Sequence, residues 1–218
     1  MKVISVKDLK SKIDGYLSDY LKNDGYLHNK SKGWFEAHSG KFRYIFYPVY
    51  TKWSDHIAIH LNIYLELTEV EQVFKQILGK SNFLTMGNDI GVIYNSDDGR
   101  KVINRGMPIL IFQSEDSDAA CESLVDYYST IAKKYFLKCS DLEFTESLFN
   151  NEPFGHNPAY IGGDFSERCI RGLILSKLLK KDNFYRILNV YSKEIQETNE
   201  EAIQNFEKAK DFLVSHFT

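Results

Sequence analysis

At 218 residues and 43% hydrophobic content, the chain is long enough for one sizeable core, or one domain with a helical extension. A formal net charge of −3 supplies no global field toward nucleic acid or acidic lipid, and 14 Tyr and 15 Phe against 4 Pro mark an ordered composition. Cys121, Cys139 and Cys169 are odd in number and lack Cys-x-x-Cys spacing, which argues against a disulfide scaffold or a structural zinc site and fits a reducing cytoplasm.

The N-terminus turns charged at once, so no signal peptide is expected, and no apolar run approaches the roughly 20 residues that span a bilayer. A first helix is predicted to start at Ser5, with Asp8 at capping-box spacing and Leu9, Ile13, Tyr16, Leu17, Tyr20 and Leu21 along one face. Gly25 closes it. Strand-like segments follow at 33–38 and 41–51, with Ser39-Gly40 as a tight turn between them. Pro48 cannot donate to a ladder, so it predicts an edge or a bulge.

The strand expected at 55–65 is the most regular feature. Ile57, Ile59, Leu61, Ile63 and Leu65 alternate with His56, Ala58, His60, Asn62 and Tyr64, the period of two of a strand with one buried face. Thr68 and Glu71 then form a capping box for a helix with Val70, Val73, Phe74, Ile77 and Leu78 inward, closed by Gly79. A second set of strands is predicted at 83–86, 89–94, 101–104 and 108–112, with Asp98-Gly99 as a hairpin signal.

A long helix is predicted at 116–138, striped by Cys121, Leu124, Val125, Tyr128, Ile131, Ala132, Tyr135 and Phe136, and a shorter one at 141–149. Residues 151–164 are rich in Pro and Gly and read as a loop. Helices follow, one capped by Asp164 with Glu167 and running to about 181, one at 183–195, and one opened by residues 198–201 with Ala202, Ile203, Phe206, Phe212 and Leu213 inward. The expected architecture is α+β: a mainly antiparallel sheet of six to seven strands in two sets, packed by helices. Residues 1–150 form that domain and 165–218 a helical C-terminal extension packed on it.

His56 and His60 share a strand face but lie four residues apart, about 13 Å along a strand, too far to ligate one ion together. No metal and no cofactor is expected. The same face carries Asn62 and Tyr64, and neighbouring strands can add Arg43, Tyr47 or Trp34, a mixture that either lines a ligand groove or lies under covering helices. Gly162-Gly163-Asp164 lacks either phosphate-loop signature and reads as a linker with a helix cap, and His156 is a lone loop histidine. Cys121 and Cys169 read as small buried apolar residues, and no hydrolase, zinc-protease or kinase motif occurs, so no catalytic residue is assigned. Lys177, Lys180 and Lys181 end a helix and complement its dipole.

Three features carry a resemblance. A helix leads to Gly25-Tyr26 and an aromatic strand; the motifs Tyr44-Ile45-Phe46 and Ile59-His60-Leu61-Asn62-Ile63 follow; and 127–148 contains Lys133-Lys134-Tyr135-Phe136 before Ser140-Asp141. In these, residues 1–150 resemble an uncharacterised bacterial family known only as a domain of unknown function, some of whose members resemble immunity proteins that accompany secreted toxins. The resemblance implies an α+β fold with a helical tail and no catalytic residues. The expectation is a non-catalytic cytoplasmic module that binds a protein partner, immunity-like or regulatory. The alternative is a small-molecule-binding protein or hydrolase with a pocket on the His56, His60, Asn62 and Tyr64 face. Neither nucleic acid nor membrane is expected as a partner.

Overall fold

The computed structural model describes residues 5–79, 84–97, 108–151, 158–161 and 164–215. The fold is α+β, with a six-stranded antiparallel sheet and an all-helical C-terminal stretch. The expected strand at 101–104, the Asp98-Gly99 turn, His156 and Gly162-Gly163 lie outside the described residues.

Helix α1 (Val6–Leu21) starts where the capping box puts it, with Asp8 N–H donating to the Ser5 hydroxyl at 3.1 Å. Leu9, Ile13, Leu17 and Leu21 are buried at strict four-residue spacing, whereas Tyr16 and Tyr20 lie to the side and stay exposed. Strands β1 (Leu27–Asn29), β2 (Trp34–Ser39) and β3 (Phe42–Lys52) follow as antiparallel neighbours. The β2–β3 turn is Gly40-Lys41, enclosed by the pair Ser39↔Phe42, with Gly40 at φ 59° as a two-residue hairpin turn demands. Pro48 is not on an edge strand, because β3 lies between β2 and β4. It is tolerated because the β2 pairing runs only from Phe42 to Phe46, so no ladder partner on that side asks for its missing N–H.

Strand β4 (Ile57–Leu67) keeps the predicted alternation: Ile57, Ile59, Leu61, Ile63 and Leu65 are buried, and His60, Asn62 and Tyr64 are half-buried. Helix α2 (Thr68–Leu78) follows directly, but the Thr68–Glu71 capping box is not formed. Leu67 occupies the cap position without a side-chain bond, and the Glu71 carboxylate turns inward to Thr85 and Arg171. The segment 89–94, expected as strand, divides. Strand β5 (Met86–Asp89) stops at Asp89, whose carboxylate accepts from Gly91 N–H and opens helix α3 (Ile90–Asp97), with Ile90 and Ile93 buried one turn apart. Strand β6 (Ile109–Ile111) pairs antiparallel with the start of β4, and the sheet order is β1-β2-β3-β4-β5.

The long helix is real but interrupted. α4 (Asp116–Tyr127) passes into a five-residue π turn (Tyr128–Ala132) and then α5 (Lys133–Cys139). In the turn the Ser129 and Thr130 hydroxyls donate back to the carbonyls of Val125 and Asp126, contacts of a kind that loosen and bend helices. The chain then forms α6 (Leu142–Asn150), capped by Asp141, and the short α7 (Pro158–Ile161). Next come α8 (Phe165–Leu178), capped by Asp164, α9 (Phe184–Glu194) and α10 (Glu200–Ser215). Within the predicted 198–201 opening, Asn199 caps α10, accepting from Ala202 N–H at 2.9 Å.

Two compact units emerge, each built from two stretches of chain: residues 1–65 with 88–137, and residues 66–87 with 138–218. This grouping differs from a division near residue 150. In the first unit, one sheet face carries Tyr44 and Phe46 against Phe136 and Tyr128, with ring centroids 5.3 and 5.4 Å apart. Tyr128, 2% exposed, also meets Tyr20 and Tyr26 edge-on, and its hydroxyl donates to Asp24. Lys133 reaches the same carboxylate at 2.7 Å, and its bond holds the Asp24 carboxyl below the usual range.

In the second unit α2 and α10 both pack on α8. Its centre is a buried ion pair: Arg171 Nε and Nη2 donate to the two Glu71 oxygens at 2.8 and 3.2 Å, and Nη1 donates to Glu167 at 3.0 Å. Alongside, α6 and α9 approach α8 at Gly172, where a Cβ would stand 2.6 Å from Asn150 Oδ1. Asn150 cannot yield easily, since its amide donates to the Gly172 carbonyl and to Glu146 while Tyr191 donates to its oxygen.

Candidate interaction surface

Strand periodicity divides the first unit's sheet into the face that carries Tyr44 and Phe46 and an opposite, polar face. Cross-strand partners share a face, so the pairs Glu36↔Ile45 and His38↔Arg43 put Glu36, Arg43 and, two steps on, Trp34 and Tyr47 together on the polar side. There Glu36 organises a closed set. Its carboxylate accepts from Arg43 Nε and Nη2 at 3.1 and 2.6 Å, from Trp34 Nε1 at 2.9 Å and from Asn29 at 3.1 Å. The Arg43 guanidinium also lies 5.4 Å from the Trp34 ring centroid, and Tyr47 meets Trp34 edge-on at 5.8 Å.

Burial pushes the Glu36 carboxyl up, but the bonds from Arg43, Trp34 and Asn29 together outweigh it and hold the group below its ordinary value of 4.5. The depressed folded value means that ionised Glu36 stabilises the protein above about pH 4.5, and that this is lost as pH falls through the folded value. Glu36→Gln is therefore expected to lower the melting temperature at neutral pH, with the gap to wild type narrowing below pH 4. Parallel melting curves from pH 7 to 3 would remove the ionised Glu36 from this role.

The remaining expected residues separate. His60 and Asn62 stand half-buried on β4, and neither side chain makes a hydrogen bond or ion pair among the described residues. Tyr64 is on the same row; burial pushes its hydroxyl up, and neighbouring Tyr47 and Asp89 add to the shift. His56 is not on the strand. The chain turns at 53–56, with Trp53 N–H donating to the His56 carbonyl at 2.9 Å, and β4 begins one residue later.

His56 belongs instead to an aromatic stack. Its ring lies 6.1 Å from that of Trp53 at an interplanar angle of 16°, and 5.4 Å from that of Phe112. The β4–β6 register explains the second contact: Ile57 faces Ile111, so His56 and Phe112 stand opposite one step beyond the ladder. Asp55 accepts from His56 Nδ1 at 2.7 Å, which holds the Asp55 carboxyl below the usual range. Leu110, paired with Ala58, lies on the same side. Trp53, Phe112 and Leu110 are 57%, 54% and 46% exposed, a cluster of large apolar groups where single ones would be ordinary. Sequence reasoning missed it because residues 53 and 112 meet only through β4–β6 pairing; a tryptophan placed in a polar turn is the one local sign.

Among the described residues no group of three His, Cys, Asp or Glu side chains is arranged to hold a metal ion, and no helix is long and apolar enough to cross a membrane. All three cysteines are buried, and burial pushes the Cys121 and Cys169 thiols up, away from the thiolate a nucleophile needs. No family model, curated protein or solved structure matches the chain.

Proposed function

We propose that the protein is a non-catalytic module that binds a protein partner through the Trp53, His56, Leu110 and Phe112 patch and the adjoining polar sheet face. The observation that carries this reading is the exposure of Trp53 and Phe112 on either side of a stacked imidazole. Interface anchors are enriched in tryptophan and other aromatics, surrounded by polar groups that orient the partner. His60 and Asn62, polar and without partners among the described residues, supply such groups on the same strand. The immunity-like resemblance points the same way, since such proteins act by occupying another protein.

Cross-linked affinity capture from the native host, run in parallel with wild type and a Trp53→Ala/Phe112→Ala variant, tests it. The wild type is expected to retain one stoichiometric protein, and the variant to bind it about 30-fold or more weakly, with its melting temperature little changed. Equal capture by the two, or no stoichiometric protein with either, would sink the reading.

A further inference from the structure

In the first unit, α1 meets the edge of the sheet through two buried titratable groups that nothing else satisfies. Asp14 of α1 lies against His28 of β1, with Oδ2 3.6 Å from Nε2 and the two side chains 15% and 12% exposed. At that distance the groups attract as ions without sharing a hydrogen bond. Asp14 Oδ1 and His28 Nε2 are sealed from solvent, and neither has a hydrogen-bond partner among the described residues. The hydroxyl of Tyr50, on β3, is a third such atom, pushed up by burial and by the Asp14 charge. Buried polar groups are nearly always bonded, so three unpartnered ones acting on each other mark a place where something besides stability is served.

The neighbouring charges leave the gap open. On α1 itself, Lys10 sends its ammonium to the β1–β2 turn, where a Cβ on Gly33 would stand 2.9 Å from Nζ. Lys12 is engaged by Ser117 and Asp118 of α4. From α4 the Cys121 thiol acts on Tyr50, with Asp118 and Glu122 beside it. In the turn after α1, Asp24 is held by Tyr128 and Lys133. Lys7 and Lys30 line the hollow beside the pair. From β2, Phe35 stacks on the His28 ring at 4.6 Å and 18°, which fixes the ring without bonding its nitrogens.

A carboxylate in such a place is uncompensated unless the pair carries a proton. On His28 the proton makes an ion pair, and on Asp14 it makes a neutral acid; either removes the lone buried charge. Burial accordingly pushes the Asp14 carboxyl above its ordinary 3.8, against the opposing pull of His28 and Lys10. A raised folded value means that protonated Asp14 stabilises the fold below about pH 3.8, and that this is lost as pH rises through the folded value.

We propose that Asp14 and His28 form a proton-operated latch between α1 and the edge strand β1: a shared proton holds the strand down, and its loss releases it. β1 has three residues and three ladder partners on β2, so its contact with the helix is a large part of what keeps it in place. Release uncovers the β2 edge, a row of backbone groups able to take a strand from another chain.

Hydrogen exchange of the full chain at residue resolution, with wild type and Asp14→Asn compared at each pH from 4 to 8, tests it. Asparagine stands in for the protonated acid. The β1 amides are expected to exchange alike in the two proteins near pH 4, and about fivefold more slowly in the variant by pH 8. The variant's melting temperature should match wild type near pH 4 and exceed it by about 2–4 °C at pH 8. The opening is local, so low urea should leave β1 exchange nearly unchanged. His28→Phe keeps the stack on Phe35 and removes the second proton site; at pH 5 it should speed β1 exchange about fivefold. A ratio between wild type and Asp14→Asn that stays constant with pH, or a variant less stable at pH 8, would overturn the latch. So would β1 amides that exchange only on global unfolding, or that His28→Phe leaves untouched.

Discussion

Arg171→Ala is expected to lower the unfolding free energy by about 3–5 kcal/mol, more than any surface substitution in this chain. The side chains of Arg171 and Glu71 are 3% and 4% exposed, so neither charge has water to fall back on. The fork contact satisfies both Glu71 oxygens, Glu167 takes a third donor, and Phe74 lies 4.1 Å beneath the guanidinium carbon. Thr85 completes the chain, donating to Glu71 while accepting from Leu67 N–H. Alanine would leave a buried carboxylate with Thr85 as its main remaining donor. Lysine should restore little, because one ammonium cannot replace a planar fork. Removing both charges together, as Arg171→Met with Glu71→Leu, should recover most of the loss, since desolvation opposes the pair as strongly as attraction favours it. Urea denaturation of the four proteins decides the matter. A cost below about 1 kcal/mol for Arg171→Ala would mean that the pair is solvated after all.

In the first unit the comparable residue is Tyr128. Truncation to alanine is expected to cost about 3–5 kcal/mol, the range for emptying a buried aromatic site. Its ring takes edge-on contacts from Tyr20, Tyr26 and Phe46 at 6.2, 5.6 and 5.4 Å, and Lys133 lies 5.2 Å from its centroid. Helix α1, residues 24–26 before β1, strand β3 and helix α5 all meet it, so no single element can close the void. Tyr128→Phe keeps the ring and deletes the hydroxyl's bonds to Asp24, which Lys133 still satisfies, and to Tyr26, so about 0.5–1.5 kcal/mol is expected there. Chemical denaturation of both variants separates the two contributions. Equal losses would place the stabilisation in the hydroxyl and contradict the packing account.

Local patterns were legible and long-range ones were not. The row from Ile57 to Leu65 follows from alternation alone, and the caps at Ser5, Asp141 and Asp164 follow from residue type and spacing. Ile90, Val92 and Ile93 read as strand because β-branched residues favour it. The carboxylate of Asp89 nonetheless caps a helix there, burying Ile90 and Ile93 and leaving Val92 42% exposed. Glu71 looked like half of a capping box because its true partner is 100 residues away. Of the candidate site, His60, Asn62 and Tyr64 were readable from parity. His56 was not, because the turn at Trp53 takes the chain off the strand one residue before Ile57. Lys180 could not be foreseen at all: nothing in a Leu-Leu-Lys-Lys run announces a left-handed residue.

The interleaving of the two units has a consequence for biosynthesis. α2 leaves the ribosome before its packing partners α8 and α10, and the guanidinium that neutralises Glu71 is translated 100 residues after it. At about 5–20 residues per second, the nascent chain carries the inward face of α2 uncovered for several seconds, a window in which chaperones compete with aggregation. The timing of that unit's completion is therefore governed by the emergence of α8 and α10 rather than by the intrinsic speed of helix formation.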